Sequence, residues 1–269
     1  MKENKNPHWS YSSFNCYVQC PMKYYFRYIE KAPVERTGSC LPLGRAFHGV
    51  LSQRALQGAA FTLAEGIGEF AQLFKAETEA SENLTFKEGE DYDACLRKGS
   101  DMLKVAFDNW QDDFAVKNVA ESFTVSVPGL HKPLIGEFDL VVTDGGDEAI
   151  VDWKSASAKW PSGKADMEFQ ATLYCYAYKE LHKLNPIFRY DVYTKTKQPA
   201  VNSYYTLRTE DELQRFEWVV RNIEHNVEEG LFYPVENLMN CSECPYRERC
   251  KKCHSPSTKC LNHSGTSSE

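Results

Sequence analysis

Residues Pro133–Lys154 read PLIGEFDLVVTDGGDEAIVDWK. Two runs rich in Val, Ile, Leu and Phe flank Asp144-Gly145-Gly146-Asp147. A Gly-Gly pair between strand-like runs predicts a two-residue β-hairpin turn. With Gly145 and Gly146 as the loop, Asp144 pairs with Asp147, Val142 with Ala149, and Asp139 with Asp152. Directly paired residues share a face, with Cβ atoms roughly 4.5–5.5 Å apart. Lys154, two residues beyond Asp152, points to that face as well. Two carboxylates held that close repel unless a cation lies between them or one stays protonated. A hard divalent metal suits such oxygen ligands; the competing reading is a hairpin with one solvated polar face.

At 269 residues the chain can bury one sizeable core, or a core plus a small appendage. Its 42% hydrophobic and 26% charged residues are those of an ordinary globular protein. No apolar run approaches a membrane span, and MKENKNPHWSY carries no signal-peptide core, so the expected location is cytoplasmic, with no membrane partner. A formal charge of −7 excludes a global basic footprint, and any nucleic-acid contact must come from a local patch. Ten cysteines without a secretory signal argue against a disulfide framework. Five of them (241, 244, 250, 253 and 260) fall in the last 30 residues, which points to metal or cluster ligation.

Outward from the hairpin, Val119–Val127 alternates as a preceding strand, and SASAKWPSGKAD follows Lys154 as a loop. Lys159, Trp160 and Lys164 in that loop suit a nucleic-acid strand, whose phosphates need cations and whose bases stack; a plain exposed loop is the alternative. Asp166–Leu184 reads as a helix N-capped by Asp166, with Gln170 and Tyr174 on one face. Further strands are expected at Phe188–Thr194 and Ser203–Leu207, and an amphipathic helix capped by Thr209 at Thr209–Glu229. On the amino-terminal side, residues 8–30 read as an aromatic-rich helix entered through Ser10–Ser13 and broken at Cys20 by Pro21. Thr37–Pro42 reads as a loop, and Leu43–Leu56 as a helix with His48 beside its apolar stripe. Residues 59–117 read as a helical insertion, with a long helix over Tyr92–Asp113. Arg97, Lys98 and Lys104 there offer phosphate contacts or a solvated face. The last residues, 264–269, are expected to be disordered.

Cys241, Cys244 and Cys250 form C-x2-C-x5-C, followed by Cys253 and Cys260. By spacing alone, either Cys241, Cys244, Cys250 and Cys253 close a structural zinc site, or three of these with a distant cysteine hold an iron-sulfur cluster.

Together these segments resemble the PD-(D/E)xK nuclease superfamily, in its branch of RecB-type helicase-nucleases and CRISPR-adaptation nucleases. LGRAFHGVL, GEFDLVV, VDWKSA and QATLY are similar to that branch's motifs, in its order. The resemblance implies a restriction-endonuclease-like α/β (α+β) fold: one nuclease domain over 1–263, with a core at 119–229 and a cysteine cluster at 241–260. It implies His48, Asp139, Asp152 and the Trp153 carbonyl as ligands of Mg2+ or Mn2+, Lys154 as a catalytic cation, and Gln170 and Tyr174 positioning Lys154 or the DNA. Iron-sulfur members carry one Cys-Pro before the core and C-x2-C-x5-C after it. This implies a [4Fe-4S] cluster on Cys20, Cys241, Cys244 and Cys250, with zinc second and Cys253 and Cys260 unassigned. The expected activity is that of a metal-dependent DNA exonuclease of repair, recombination or phage DNA processing. A CRISPR-adaptation nuclease and a non-catalytic DNA-binding iron-sulfur protein are the alternatives. No Walker A pattern occurs, so any helicase, recombinase or integrase partner is a separate protein.

Overall fold

The hairpin turns where the glycine pair places it: Gly145 and Gly146 have φ of +60° and +100°, a left-handed backbone that L side chains resist. The computed structural model describes residues 7–110 and 114–253. Cys260 and the tail expected at 264–269 lie outside the described residues.

In chain order the elements are α1 (Tyr11–Gln19), α2 (Pro21–Tyr24), a π-helical stretch (Tyr25–Glu30), β1 (Thr37–Gly38), α3 (Cys40–Gln57), α4 (Leu63–Glu79), β2 (Leu84–Thr85) and α5 (Tyr92–Asp108). Then follow β3 (Ala115–Val125), β4 (Leu134–Asp144), β5 (Asp147–Ala156), α6 (Lys164–Met167), α7 (Phe169–His182), β6 (Ile187–Thr194), β7 (Val201–Thr206), α8 (Glu210–Glu228), α9 (Leu238–Cys241) and α10 (Arg247–Lys251). Strands β3-β4-β5-β6-β7 form one mixed sheet, antiparallel except for β5 and β6, which α6 and α7 connect in parallel. A parallel neighbour needs such a crossover, and this one brings α7 back beside β5.

Helices cover both faces. On one face, α1, α7 and α8 bury Trp9, Phe14, Leu173, Phe216 and Val220 against Phe123, Phe138 and Ile150. On the other, α3, α4 and α5 bury Phe47, Val50, Phe70 and Leu103 against Leu140, Val151 and Trp153. Within this second layer α4 and α5 pack on α3. Lys98 and Lys104 of α5 are paired with Glu90 and Asp101.

Several boundaries differ from the sequence reading. Helix α3 starts at Cys40 rather than Leu43, because Pro42 falls in the first turn, where its missing N–H costs nothing. Helix α5 ends at Asp108. Asp166 is not the cap of α7: Glu168 is extended between α6 and α7, and the Asp166 carboxylate instead accepts from Thr206 Oγ1 at 2.7 Å. Ser10 and Thr209 do cap α1 and α8, each in a reciprocal capping box.

Candidate active site

The counted register holds from Asp144–Asp147 through Leu140–Val151. Beyond it the strands change character at Asp139. Phe138 packs against Phe123, Tyr174 and Tyr178, while Leu140 is buried in the opposite layer. Residues two apart on a regular strand share a face, so β4 switches faces at Asp139. Its neighbour β3 does the same: Ala120, between the paired Val119 and Glu121, has φ +50°. Asp139 is therefore not a simple facing partner of Asp152. Its Oδ2 accepts from the Trp153 backbone N–H at 3.0 Å, replacing a ladder bond with a side-chain bond, and meets His48 Nδ1 at 3.2 Å.

His48 comes from α3 and sets its ring edge-on to Trp153, with centroids 6.0 Å apart. Asp152 is 1% exposed. Its Oδ1 accepts from Gln170 Nε2 at 2.7 Å, and its Oδ2 lies 2.5 Å from Lys154 Nζ in an ion pair. Gln170 therefore meets Asp152, where Lys154 or the DNA is the expected partner. Tyr174, one turn along α7, also pairs with Gln170 through its side chain.

The two carboxyls are driven apart electrostatically. Burial pushes Asp152 up to about 6, against the pull of Lys154. Burial also opposes the charge on Asp139, but the hydrogen bond and charge of His48 outweigh it and hold that carboxyl below its usual range. For His48, burial disfavours the cation, yet the bond and charge of Asp139 prevail and raise its pKa.

Asp139, His48, Lys154, Gln170 and Tyr174 open onto one cleft of about 690 Å³. Ser10, Tyr11 and Ser12 at the start of α1 line it too, as do Arg45 and Glu137. The sequence reading used the serines only as a helix entry; no local pattern shows that the first turn of α1 meets a strand more than a hundred residues away. Among the described residues, the three metal-capable groups with donor atoms all within 4.8 Å of one another are His131, Glu224 and Glu228. The His48, Asp139 and Asp152 set is wider, with Lys154 drawn onto Asp152.

The loop after β5 is tighter than expected. Trp160 packs on Tyr190 and Tyr204 with ring centroids 5.0 and 5.7 Å away, and Lys164 Nζ sits 4.4 Å from its own centroid. Its indole is thus half-buried and already engaged with protein side chains. Lys159 is exposed, and Lys164 lies 3.6 Å from Glu168.

Cys20, Cys241, Cys244 and Cys250 line a second cavity, of about 590 Å³. Burial raises the Cys250 thiol to about 11, and Cys20, Cys244 and Cys241 all act on it. The Val235 N–H points at Cys20 Sγ at 3.5 Å. Cys253 packs at the edge of this cluster.

A family model described as the PD-(D/E)XK nuclease superfamily matches residues 8–251. No curated protein matches. Among solved structures, a candidate exonuclease from Eubacterium rectale aligns with a TM-score of 0.59 at 14% identity, covering 97% of this chain and 94% of that chain. SSO0001 aligns with a TM-score of only 0.38 at 11% identity, over 90% and 96% of the two chains.

Proposed function

Because the chain belongs to the PD-(D/E)XK nuclease superfamily, we propose that it is a RecB-like, Mg2+- or Mn2+-dependent DNA exonuclease serving repair, recombination or phage DNA processing, braced by a [4Fe-4S] cluster. Hydrolytic cleavage of DNA and the use of a divalent metal come with the superfamily. Among the described residues, no helix is long and apolar enough to cross a membrane.

The observation that carries the catalytic reading is the asymmetric carboxyl pair, Asp139 lining the cleft with Lys154, and Asp152 buried behind them. Asp152 Oδ2 is buried, with the Lys154 ammonium 2.5 Å away as its partner. Hard oxygens and one imidazole are a donor set for Mg2+ or Mn2+, so His48, Asp139, Asp152 and the Trp153 carbonyl fit as the residues that would hold it. When bound, the cation polarises the phosphoryl group and acidifies a water. Lys154 then exchanges Asp152 for the attacking water or the phosphate and stabilises developing negative charge. Gln170 fixes the Asp152 carboxylate, and Trp153 N–H and His48 fix Asp139. Lys159 and Lys164 provide cations for the backbone of the strand.

Support for the cluster comes from four cysteines around one cavity. Their C-x2-C-x5-C spacing after Cys20-Pro21 is the pattern on which the cluster reading rests.

Incubating single- and double-stranded DNA, with and without free ends, with Mn2+ and the purified protein tests the reading. Wild type is expected to degrade DNA from its ends, and Asp139→Ala and Asp152→Ala to leave it intact. Equal inertness of all three proteins would overturn it, and cutting of closed circles would replace the exonuclease with an endonuclease.

A further inference from the structure

Arg208, two residues past the end of β7, is 2% exposed. Its guanidinium donates from Nε to Thr172 Oγ1 at 2.7 Å, from Nη1 to Thr206 Oγ1 and to Leu207 O at 3.1 Å, and from Nη2 to Ala165 O at 2.9 Å and Glu168 O at 3.2 Å. Every one of these acceptors is a neutral oxygen. A planar fork with five donors is well matched to such a set, which a lysine point charge cannot reproduce.

The acceptors share one purpose in the fold. Ala165 belongs to α6, Glu168 is the residue before α7, and Thr172 lies in the first turn of α7. Between Glu168 and Thr172 stands Gln170, whose Nε2 is 2.7 Å from Asp152 Oδ1. Glu168 supplies no side-chain cap to α7, so the first turn is held by tertiary contacts: the Arg208 fork, and Phe169 packed on Phe14 and Phe216. The same corner anchors the basic loop: Tyr204 Oη donates to Trp160 O at 3.0 Å, and Thr206 Oγ1 to Asp166 Oδ1 at 2.7 Å.

We propose that Arg208 is a positioning residue: its fork sets the rotation of the first turn of α7 and thereby aims Gln170 at the buried Asp152 carboxylate. The inference rests on the nuclease reading above, through the role given there to Asp152. Removing such an outer support costs metal affinity or activity roughly 10- to 100-fold. It does so only through the residue it supports.

The test is a double-mutant cycle on kcat, with Mn2+ binding to each protein followed by titration calorimetry without DNA. Arg208→Lys, which keeps the charge but loses the fork, is expected to weaken Mn2+ binding and lower kcat about tenfold or more, with KM for DNA nearly unchanged. Gln170→Ala is expected to do the same, and Arg208→Lys/Gln170→Ala to be no worse than Gln170→Ala alone. Additive losses, or Mn2+ binding like wild type in Arg208→Lys, would overturn the proposal. If Arg208→Lys does not fold, Thr172→Val removes one arm of the fork and enters the same cycle with the same expectations. A wild-type protein that binds Mn2+ but leaves DNA intact would sink the nuclease reading, while the calorimetric cycle still decides the role of Arg208.

Discussion

At the carboxyl end of β5, Asp139, Asp152 and Lys154 stand on two hydrogen-bonded strands, and each is gripped by a neighbour: Asp139 by His48 and Trp153 N–H, Asp152 by Gln170 and Lys154. The cysteine cavity is assembled from short pieces, α2, α9 and α10, with half-buried thiols on its carboxyl-terminal side. A small buried apolar core of Met22, Tyr25, Phe26 and Tyr246 joins them, with hydrogen bonds at its rim: Met22 N–H to Tyr233 O, Glu35 to the Glu248 and Arg249 N–H groups, Asn240 to Gln19 O. The first region is pre-organised by the sheet and needs a metal for chemistry. The second lacks a sheet of its own and, on the proposed reading, draws its rigidity from the cluster. Chemistry and stability should therefore be separable by mutation.

The largest expected effect is on the clasp. On the proposed reading, ligation between Cys20 and the tail would close a loop of roughly 220 residues, worth about 5 kcal/mol on the loop-entropy model. Cys20→Ser should lose iron and colour and unfold at markedly lower denaturant, before any defect in DNA cleavage per folded molecule. An iron-free wild type of unchanged stability would break the contrast. Lys154→Ala should do the reverse, lowering kcat about 10²- to 10³-fold while circular dichroism and iron content stay as in wild type.

Gln170→Ala is expected to cost roughly 10- to 100-fold in turnover and Mn2+ affinity, because it frees Asp152 without removing it. A loss confined to KM for DNA would instead make Gln170 a DNA contact.

Asp152→Asn sharpens the electrostatic half of the comparison. With its folded pKa raised to about 6 by burial, Asp152 favours the fold at low pH, and that contribution is lost as pH rises through about 6. In chelator, Asp152→Asn should therefore melt a few degrees above wild type at pH 8, and the gap should close below pH 6. A gap that widens on acidification would reverse the assignment.

The smallest effect is expected from Ala120→Gly, which relieves a left-handed φ of +50° opposite Asp139. It should stabilise by about 1 kcal/mol, read as a rise of roughly 2–4 °C in Tm, with cleavage retained.

The hairpin, its turn and its register as far as Leu140–Val151 were legible because a Gly-Gly pair between apolar runs leaves one pairing that buries the right residues. The four motif segments were legible only through their resemblance to the nuclease superfamily. Asp166 misled as a cap because its carboxylate found Thr206, forty residues on, and the packing of Trp160 was not legible because Tyr190 and Tyr204 arrive from other strands. The face switch at Asp139 and Ala120 left no pattern in either strand alone.

Sequence by itself determined which groups carry charge and where the chain turns, since those follow from residue type and near neighbours. Tertiary structure alone decided that Gln170 serves Asp152, that Asp139 leaves its ladder for Trp153 N–H, and that Arg208 pins the turn between them. Each of these pairings joins residues distant in the chain, and a buried polar group takes whichever partner the packing brings within reach.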